Sequence, residues 1–161
     1  PDVEARLRPV LQSSGIAAAD LTLEITETVF RSGRGPANAT LERLKAVGVR
    51  LAVDDFGTGY SSLDSFSSAP FDKLKIDQSF IRDVEINPRH RALVRTIASL
   101  AEDLGLELTA EGVETVGQAR VLLAMGCQQA QGFLYSPAMP PEQVEDLLAG
   151  GYLLPRAAAF A

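Results

Sequence analysis

The run Ala52-Val53-Asp54-Asp55-Phe56-Gly57-Thr58-Gly59-Tyr60 decides how this chain is read. A short apolar strand beginning at Val49 runs straight into two adjacent carboxylates, and glycine then recurs at every second position. Neighbouring side chains in a regular strand point to opposite faces. For Asp54 and Asp55 to serve one site, the chain must leave strand geometry at the pair, and Gly57 and Gly59 supply the backbone freedom to do so. Two anions this close repel unless a cation, a proton or a ring of donors lies between them. The pair therefore reads as a seat for a polyvalent cation. The plainer alternative is a pair of loop aspartates that cap backbone amides and face water.

Outward from that run the pattern alternates. Upstream, Val3, Leu7, Val10 and Leu11 recur at helical spacing until Ser13-Ser14-Gly15 stops them, and Leu21-Thr22-Leu23-Glu24-Ile25 is a strand ending in Thr26-Glu27. A helix around Leu41, Leu44 and Val47 closes at Gly48 and delivers the chain to Val49. Downstream, Leu63 and Phe66 mark a short helix broken by Pro70, and Leu74-Lys75-Ile76-Asp77 is the next strand. The longest helix opens at Pro88 and runs through Leu93, Val94, Ile97 and Leu100 to Leu104, with Gly105 behind it. A strand over 106–112, a helix through Ala119 and Leu122 to Gly126, a strand over 131–135 and a closing helix with Val144, Leu147 and Leu148 complete the order.

Such alternation means parallel strands joined by right-handed crossovers, hence an α/β protein. Polar residues gather at the carboxyl ends of successive strands: Glu24, then Asp54 and Asp55, then Lys75 and Asp77, then Glu111. Gln131 stands apart, at the start of its strand. In barrels and open sheets alike, that edge is where ligands bind. An eight-stranded barrel takes about 250 residues, and five βα units are present, so the chain reads as the last five units of a TIM-like (β/α)8 barrel. An open doubly wound sheet is the alternative.

The whole chain sets outer limits. Its 161 residues, 46% hydrophobic, suit one domain, and a net charge of −6 argues against a DNA- or RNA-binding surface. No apolar run approaches the roughly 20 residues that span a bilayer, and no signal peptide is visible. A single cysteine, Cys127, cannot form an internal disulfide and reads as a small buried hydrophobe in a reducing compartment. The chain begins at Pro1 and enters a helical pattern at once, which suggests a piece of something longer. Residues 1–149 are expected to form the domain and 150–161, rich in glycine and alanine, a flexible tail.

Carboxylates from several strands, with one lysine and one glutamine among them, match the needs of a divalent-metal phosphodiesterase. Hard cations such as Mg²⁺ and Mn²⁺ take oxygen ligands, and the lack of usable Cys and His ligands points away from zinc. A carboxylate bridging two ions about 3.5–4 Å apart lets them share an activated water and steady the leaving oxygen. Adjacent aspartates suit this, one bridging and one terminal, and Lys75 nearby would orient the water and offset charge on phosphorus. Asp-Phe-Gly is shared with protein kinases, but no His-Arg-Asp or Ala-Pro-Glu accompanies it. A receiver domain would carry its acidic pair at the start of the chain, and no dinucleotide fingerprint or P-loop is present.

Five motifs in register carry a resemblance. Leu23-Glu24-Ile25-Thr26-Glu27, the run 54–62, Leu74-Lys75-Ile76-Asp77, Ala110-Glu111-Gly112-Val113-Glu114 and Gln131-Gly132-Phe133-Leu134 resemble the EAL domain of bacterial cyclic-di-GMP phosphodiesterases, over nearly the whole chain to about residue 148. The resemblance implies a TIM-like barrel that hydrolyses cyclic di-GMP to linear pGpG with two Mg²⁺ or Mn²⁺ ions. It implies Glu24 and Asp54 on the first ion, Asp54 bridging to the second, and Asp55 on the second with Glu111 beside it. Lys75 would hold or deprotonate the attacking water, Gln131 would hydrogen-bond in the same pocket, and Glu27 would anchor the loop after Asp55.

That loop and its helix, 61–68, lie where the family forms dimers. A sensor or GGDEF diguanylate cyclase module would precede such a domain, in the cytoplasm, with any membrane anchor elsewhere in the parent protein. The Glu-Ala-Leu signature and the family's metal-binding asparagine are absent from the chain and would precede Pro1. After Ser136 the family usually has a basic residue before proline, and Gln78 stands where many relatives carry arginine. A piece lacking three strands would expose sheet edges, and no turnover is expected of it alone.

For the site residues the bland reading is ordinary strand-end polarity. Asp77 reads as a structural partner, Glu114 as a residue capping or opening the next helix, His90 as a solvated helix-start residue, and Met125 and Met139 as packing residues. Two functional classes remain: the phosphodiesterase, and a catalytically inactive cyclic-di-GMP receptor of the same fold. Inactive versions typically lose ligands, and every ligand position within the chain is intact.

Overall fold

The structure is a computed structural model that describes residues 3–32, 36–58 and 69–150. Along the chain these form α1 (Val3–Ser14), β1 (Thr22–Thr26), α2 (Glu27–Ser32), α3 (Pro36–Val47), β2 (Arg50–Phe56), β3 (Lys73–Ile76), α4 (Gln78–Ile81), α5 (Pro88–Asp103), β4 (Glu107–Ala110), α6 (Val116–Ala124), β5 (Gln129–Ala130) and α7 (Pro141–Ala149). The strands form one sheet in chain order, with β1 parallel to β2 and β4 parallel to β5. The helix expected around Leu63 and Phe66, the loop ascribed to dimer formation and the tail beyond Gly150 lie outside the described residues. Among the described residues, no helix is long and apolar enough to cross a membrane.

The chain divides into two compact units, 1–75 with 101–107, and 76–100 with 108–161. In the first, Leu51, Ala52 and Val53 are wholly buried. Consecutive residues point to opposite faces, so both faces of β2 are covered, as in a parallel sheet. Phe30 on α2 meets Phe71 edge to face, 5.2 Å between centroids. Gly48, at φ 99, turns the chain off α3 in a conformation that side chains disfavour. Its N–H donates to the Lys45 carbonyl at 2.8 Å.

One sheet face of this unit is ionic at its amino end. Arg50 pairs with Glu107, and Lys73 donates to the same carboxylate at 3.0 Å. The hydrogen bond that Arg50 donates to the Glu107 carboxylate holds the arginine's pKa above its usual value, against the opposing effect of burial. Beside them Asp72 ties three strands and a helix together. Its carboxylate accepts the buried Leu51 N–H at 2.7 Å and the Lys45 ammonium at 2.7 and 2.8 Å. Its own N–H donates to the Leu51 carbonyl, and its carbonyl accepts from the Glu107 N–H.

In the second unit Ile76, Ile81, Val84, Val94 and Val113 are wholly buried, and Leu122 is nearly so. Asp77 is the N-cap of α4, accepting the Ser79 N–H at 2.9 Å. Thr115, rather than Glu114, caps α6, in a reciprocal box with Gln118. The Gln118 amide also donates to the Arg82 carbonyl at 3.1 Å. His90 lies in the first turn of α5, half-buried, with its ring 5.9 Å from Phe80 edge to face, so it is less solvated than its setting between two arginines suggested.

The last strand departs from expectation. It occupies Gln129–Ala130, and 131–135 form turns that leave Phe133 exposed. An apolar run after glycine looks like a strand, but Gly132 breaks the ladder there. The shift moves Gln131 to the carboxyl end of β5, so it is no exception to the pattern of polar strand ends.

Two outcomes follow for stability. Asp72→Ala strands the buried Leu51 N–H and should cost about 1–3 kcal/mol in denaturant unfolding. Cys127 is buried beside the Gln129 carbonyl, 3.3 Å away, and desolvation pushes its thiol up to about 11. Alkylation by iodoacetamide at pH 8 should therefore run about 100-fold slower in the folded chain than in urea. Above its ordinary value of 9.0 the unfolded chain sheds this proton first, so stability should fall as pH rises toward 11 and be unaffected by this group at neutral pH.

Candidate metal centre

Parallel pairing sets Glu24 opposite Ala52 and Thr26 opposite Asp54. Residues in register share a face, and side chains two apart along a strand return to it. Glu24 and Asp54 therefore point to the same side, one step apart along the strands. On β3, Leu74 and Ile76 are wholly buried, while Lys75 between them faces the other way. Its ammonium stands 2.8 Å from Glu24 Oε2 and 3.0 Å from Asp54 Oδ1. The lysine side chain is 7% exposed, Asp54 22% and Glu24 48%, so the cluster grades from a buried cation to a carboxylate at the rim.

Asp54 Oδ1 is itself buried and accepts no hydrogen bond. The 3.0 Å approach of Lys75 is close enough for charge attraction but lacks hydrogen-bond geometry. Its lone pairs remain available to a cation. Asp55 departs from strand geometry at φ 55, the left-handed region that few residues other than glycine tolerate. A regular strand would send its side chain to the face opposite Asp54. Instead a carboxylate oxygen of each aspartate lies within 4.8 Å of the other. The departure expected at the acidic pair thus falls on Asp55 itself, with Gly57 following at φ 100. Glu27, 2% exposed at the start of α2, accepts the Gly57 N–H at 3.1 Å, and the Thr58 hydroxyl donates back to the Asp55 carbonyl at 2.9 Å.

The second unit holds the remaining two candidates together. Glu111 follows β4, its N–H donating to the Ile76 carbonyl at 3.1 Å, and its Oε1 accepts the Gln131 side-chain amide at 2.7 Å. Gln131 is fixed by its backbone, donating to the Ala110 carbonyl at 2.9 Å and accepting the Val113 N–H at 3.0 Å. Gly132 follows at φ 152, and a Cβ there would lie 2.3 Å from the Val113 backbone. Only glycine permits that approach, so Gly132 positions Gln131. The glycine was legible in the sequence, but its packing role was not.

Within the first unit Asp54 and Asp55 bring carboxylate oxygens within 4.8 Å of each other, one of them buried without a hydrogen bond. Glu24 joins them through its ion pair with Lys75 and is not within that distance set; the donors are oxygen, with no sulfur or imidazole among these groups. That chemistry fits a hard divalent cation. The fold and these strand ends define an α/β protein of the TIM-like barrel class with a cation-ready acidic rim.

Comparison with known proteins is specific. The EAL domain profile matches residues 1–138, and the chain belongs to the EAL domain family. It is 40% identical over 142 residues to the cyclic di-GMP phosphodiesterase NbdA of Pseudomonas aeruginosa, a match covering 88% of this chain and 18% of that protein. The crystal structure of the EAL domain of Mycobacterium smegmatis DcpA superposes with a TM-score of 0.86 at 42% identity, covering 92% of this chain and 66% of that one. BlrP1 of Klebsiella pneumoniae, in a manganese and cyclic-di-GMP complex, gives 0.80 at 35% identity, over 85% of this chain and 35% of that one. The expected α/β fold, part of a TIM-like barrel, stands on these likenesses. The chain spans less than a quarter of the length of the curated relatives it matches.

The anchoring of Gly57 yields a test. Glu27→Ala removes the acceptor and should lower stability by about 1–3 kcal/mol. Amide hydrogen exchange at Gly57 should accelerate well beyond the change at the Leu51 amide.

Proposed function

We propose that the protein carrying this chain hydrolyses cyclic di-GMP to linear pGpG, with Glu24, Asp54, Asp55 and Glu111 holding two divalent ions, Mg²⁺ or Mn²⁺. Family membership supports the reaction class, and the phosphodiesterase NbdA and the manganese and cyclic-di-GMP complex of BlrP1 support the substrate and the use of a divalent ion. The observation that carries the reading for this chain is the buried, unsatisfied Asp54 Oδ1 beside the Asp55 carboxylate and the Lys75 ammonium.

When bound, the ions supply positive charge that activates water and steadies the leaving oxygen. In this reading Asp54 and Asp55 would both hold the ions through their adjacent carboxylates. Lys75, fixed on a buried strand, directs its ammonium at the attacking water and offsets negative charge on the phosphate. Gln131 orients the Glu111 carboxylate through its 2.7 Å hydrogen bond, and Glu27 ties Gly57, two residues after Asp55, to the start of α2. Residues 1–149 serve as the EAL portion and work in the cytoplasm, downstream of a sensor or GGDEF module.

The test is turnover of cyclic di-GMP by the full-length protein with Mn²⁺, beside Asp54→Asn. Loss of a group so placed should lower kcat by about 100-fold or more. EDTA should abolish pGpG formation and Mn²⁺ restore it. Tight binding of the dinucleotide without any product would favour the receptor instead.

A further inference from the structure

We propose that Lys75 is the resident cation of the metal-free centre: its ammonium holds the Glu24 and Asp54 carboxylates converged, and metal loading exchanges it for a divalent ion. This rests on the metal reading above. It adds a role for the lysine that precedes the reaction.

Glu24 and Asp54, on two neighbouring strands, both approach one ammonium within 3.0 Å, and Asp55 offers an oxygen within 4.8 Å of Asp54; carboxylates gathered in this way repel one another in the absence of a cation. Lys75 supplies the charge from within the chain, at 2.8 Å from one carboxylate and 3.0 Å from another. A buried ammonium is itself tolerated only when paired, so the three groups stabilise one another. The lysine does not occupy the hydrogen-bonding capacity of Asp54 Oδ1, which is left for an incoming ion.

A divalent cation bound to that oxygen would face the ammonium at ion-pair distance, and like charges so close repel strongly. The β3 backbone cannot yield, because Leu74 and Ile76 on either side are wholly buried. The flexible four-carbon stem of the lysine can. Loading thus costs the Lys75 contacts to Glu24 and Asp54, and the ammonium released from them is the group that the reaction needs beside its water. A lysine that served the substrate alone would leave metal affinity unchanged, and one that served structure alone would stabilise metal-free and loaded protein equally.

Calorimetric titration with Mn²⁺ and thermal melting in EDTA or Mn²⁺ separate these cases in the full-length protein. Lys75→Met keeps the stem and removes the charge. It should melt lower than wild type in EDTA, bind Mn²⁺ about tenfold more tightly, and show a Tm rise on loading larger by a few degrees. Lys75→Arg, which keeps the charge, should bind Mn²⁺ much as wild type does. Unchanged or weaker Mn²⁺ binding by Lys75→Met would overturn the proposal.

If Lys75→Met does not fold by circular dichroism, amine-reactive labelling of wild type with peptide mapping decides. Labelling of Lys75 should rise when Mg²⁺ replaces EDTA, while Lys45 and Lys73, paired with Asp72 and Glu107, serve as unmoved references. Equal labelling of Lys75 in both conditions would sink the idea. Asp54→Asn distinguishes the failures: if it binds Mn²⁺ as wild type does, or wild type binds none, the metal reading falls and takes this one with it. If Asp54→Asn alone loses binding and Lys75→Met binds no tighter, only the exchange is wrong.

Discussion

A buried ammonium must have anions, and crowded anions must have a cation. Lys75, Glu24 and Asp54 satisfy both requirements at once, and the surrounding strands are arranged so that they can. Parallel register puts Glu24 and Asp54 on one face, and the period of two puts Lys75 opposite the wholly buried Leu74 and Ile76. Slipping β1 by one residue against β2 would turn Glu24 to the far side and leave the lysine with half its charge compensation. The ionic cluster therefore specifies the register as much as the register builds the cluster.

The same sheet face carries a second ionic layer at its other end, where Arg50, Lys73 and Glu107 meet. Arg50, Ala52 and Asp54 alternate along β2 on that side, so a single strand presents charge, a small apolar spacer, and charge again. Polar layers at the amino ends of strands in such folds serve stability, while those at the carboxyl ends serve chemistry. Asp72 belongs to the first kind, holding the Leu51 amide and Lys45, and Asp54 stands at the opposite, carboxyl end of its strand.

Much of this was legible in the sequence. Apolar runs ending in carboxylates marked β1, β2, β3 and β4, because a strand buried on both faces has to be apolar nearly throughout. Glycines after α3, α5 and α6 marked their ends. The strand at Gln129–Ala130 was not legible, since two polar-flanked residues carry no period, whereas the apolar Phe133-Leu134-Tyr135 imitates one. The short helices α2 and α4 were missed for the same reason, each being shorter than the window a helical period needs. At the site, residue types were readable from their strand-end positions. The contacts were not, because the ion pairs of Lys75 span 51 and 21 positions of chain and depend on register.

The left-handed backbone at Asp55 narrows the chemical alphabet open to that position. Glycine fits the conformation but has no oxygen to offer, asparagine fits it but brings no charge, and glutamate keeps the charge but lacks the short arm that settles into this region. Aspartate alone meets the conformational and the electrostatic demand together. A lineage drifting at this codon would thus meet a cliff rather than a slope, losing either the anion or the bend in a single step.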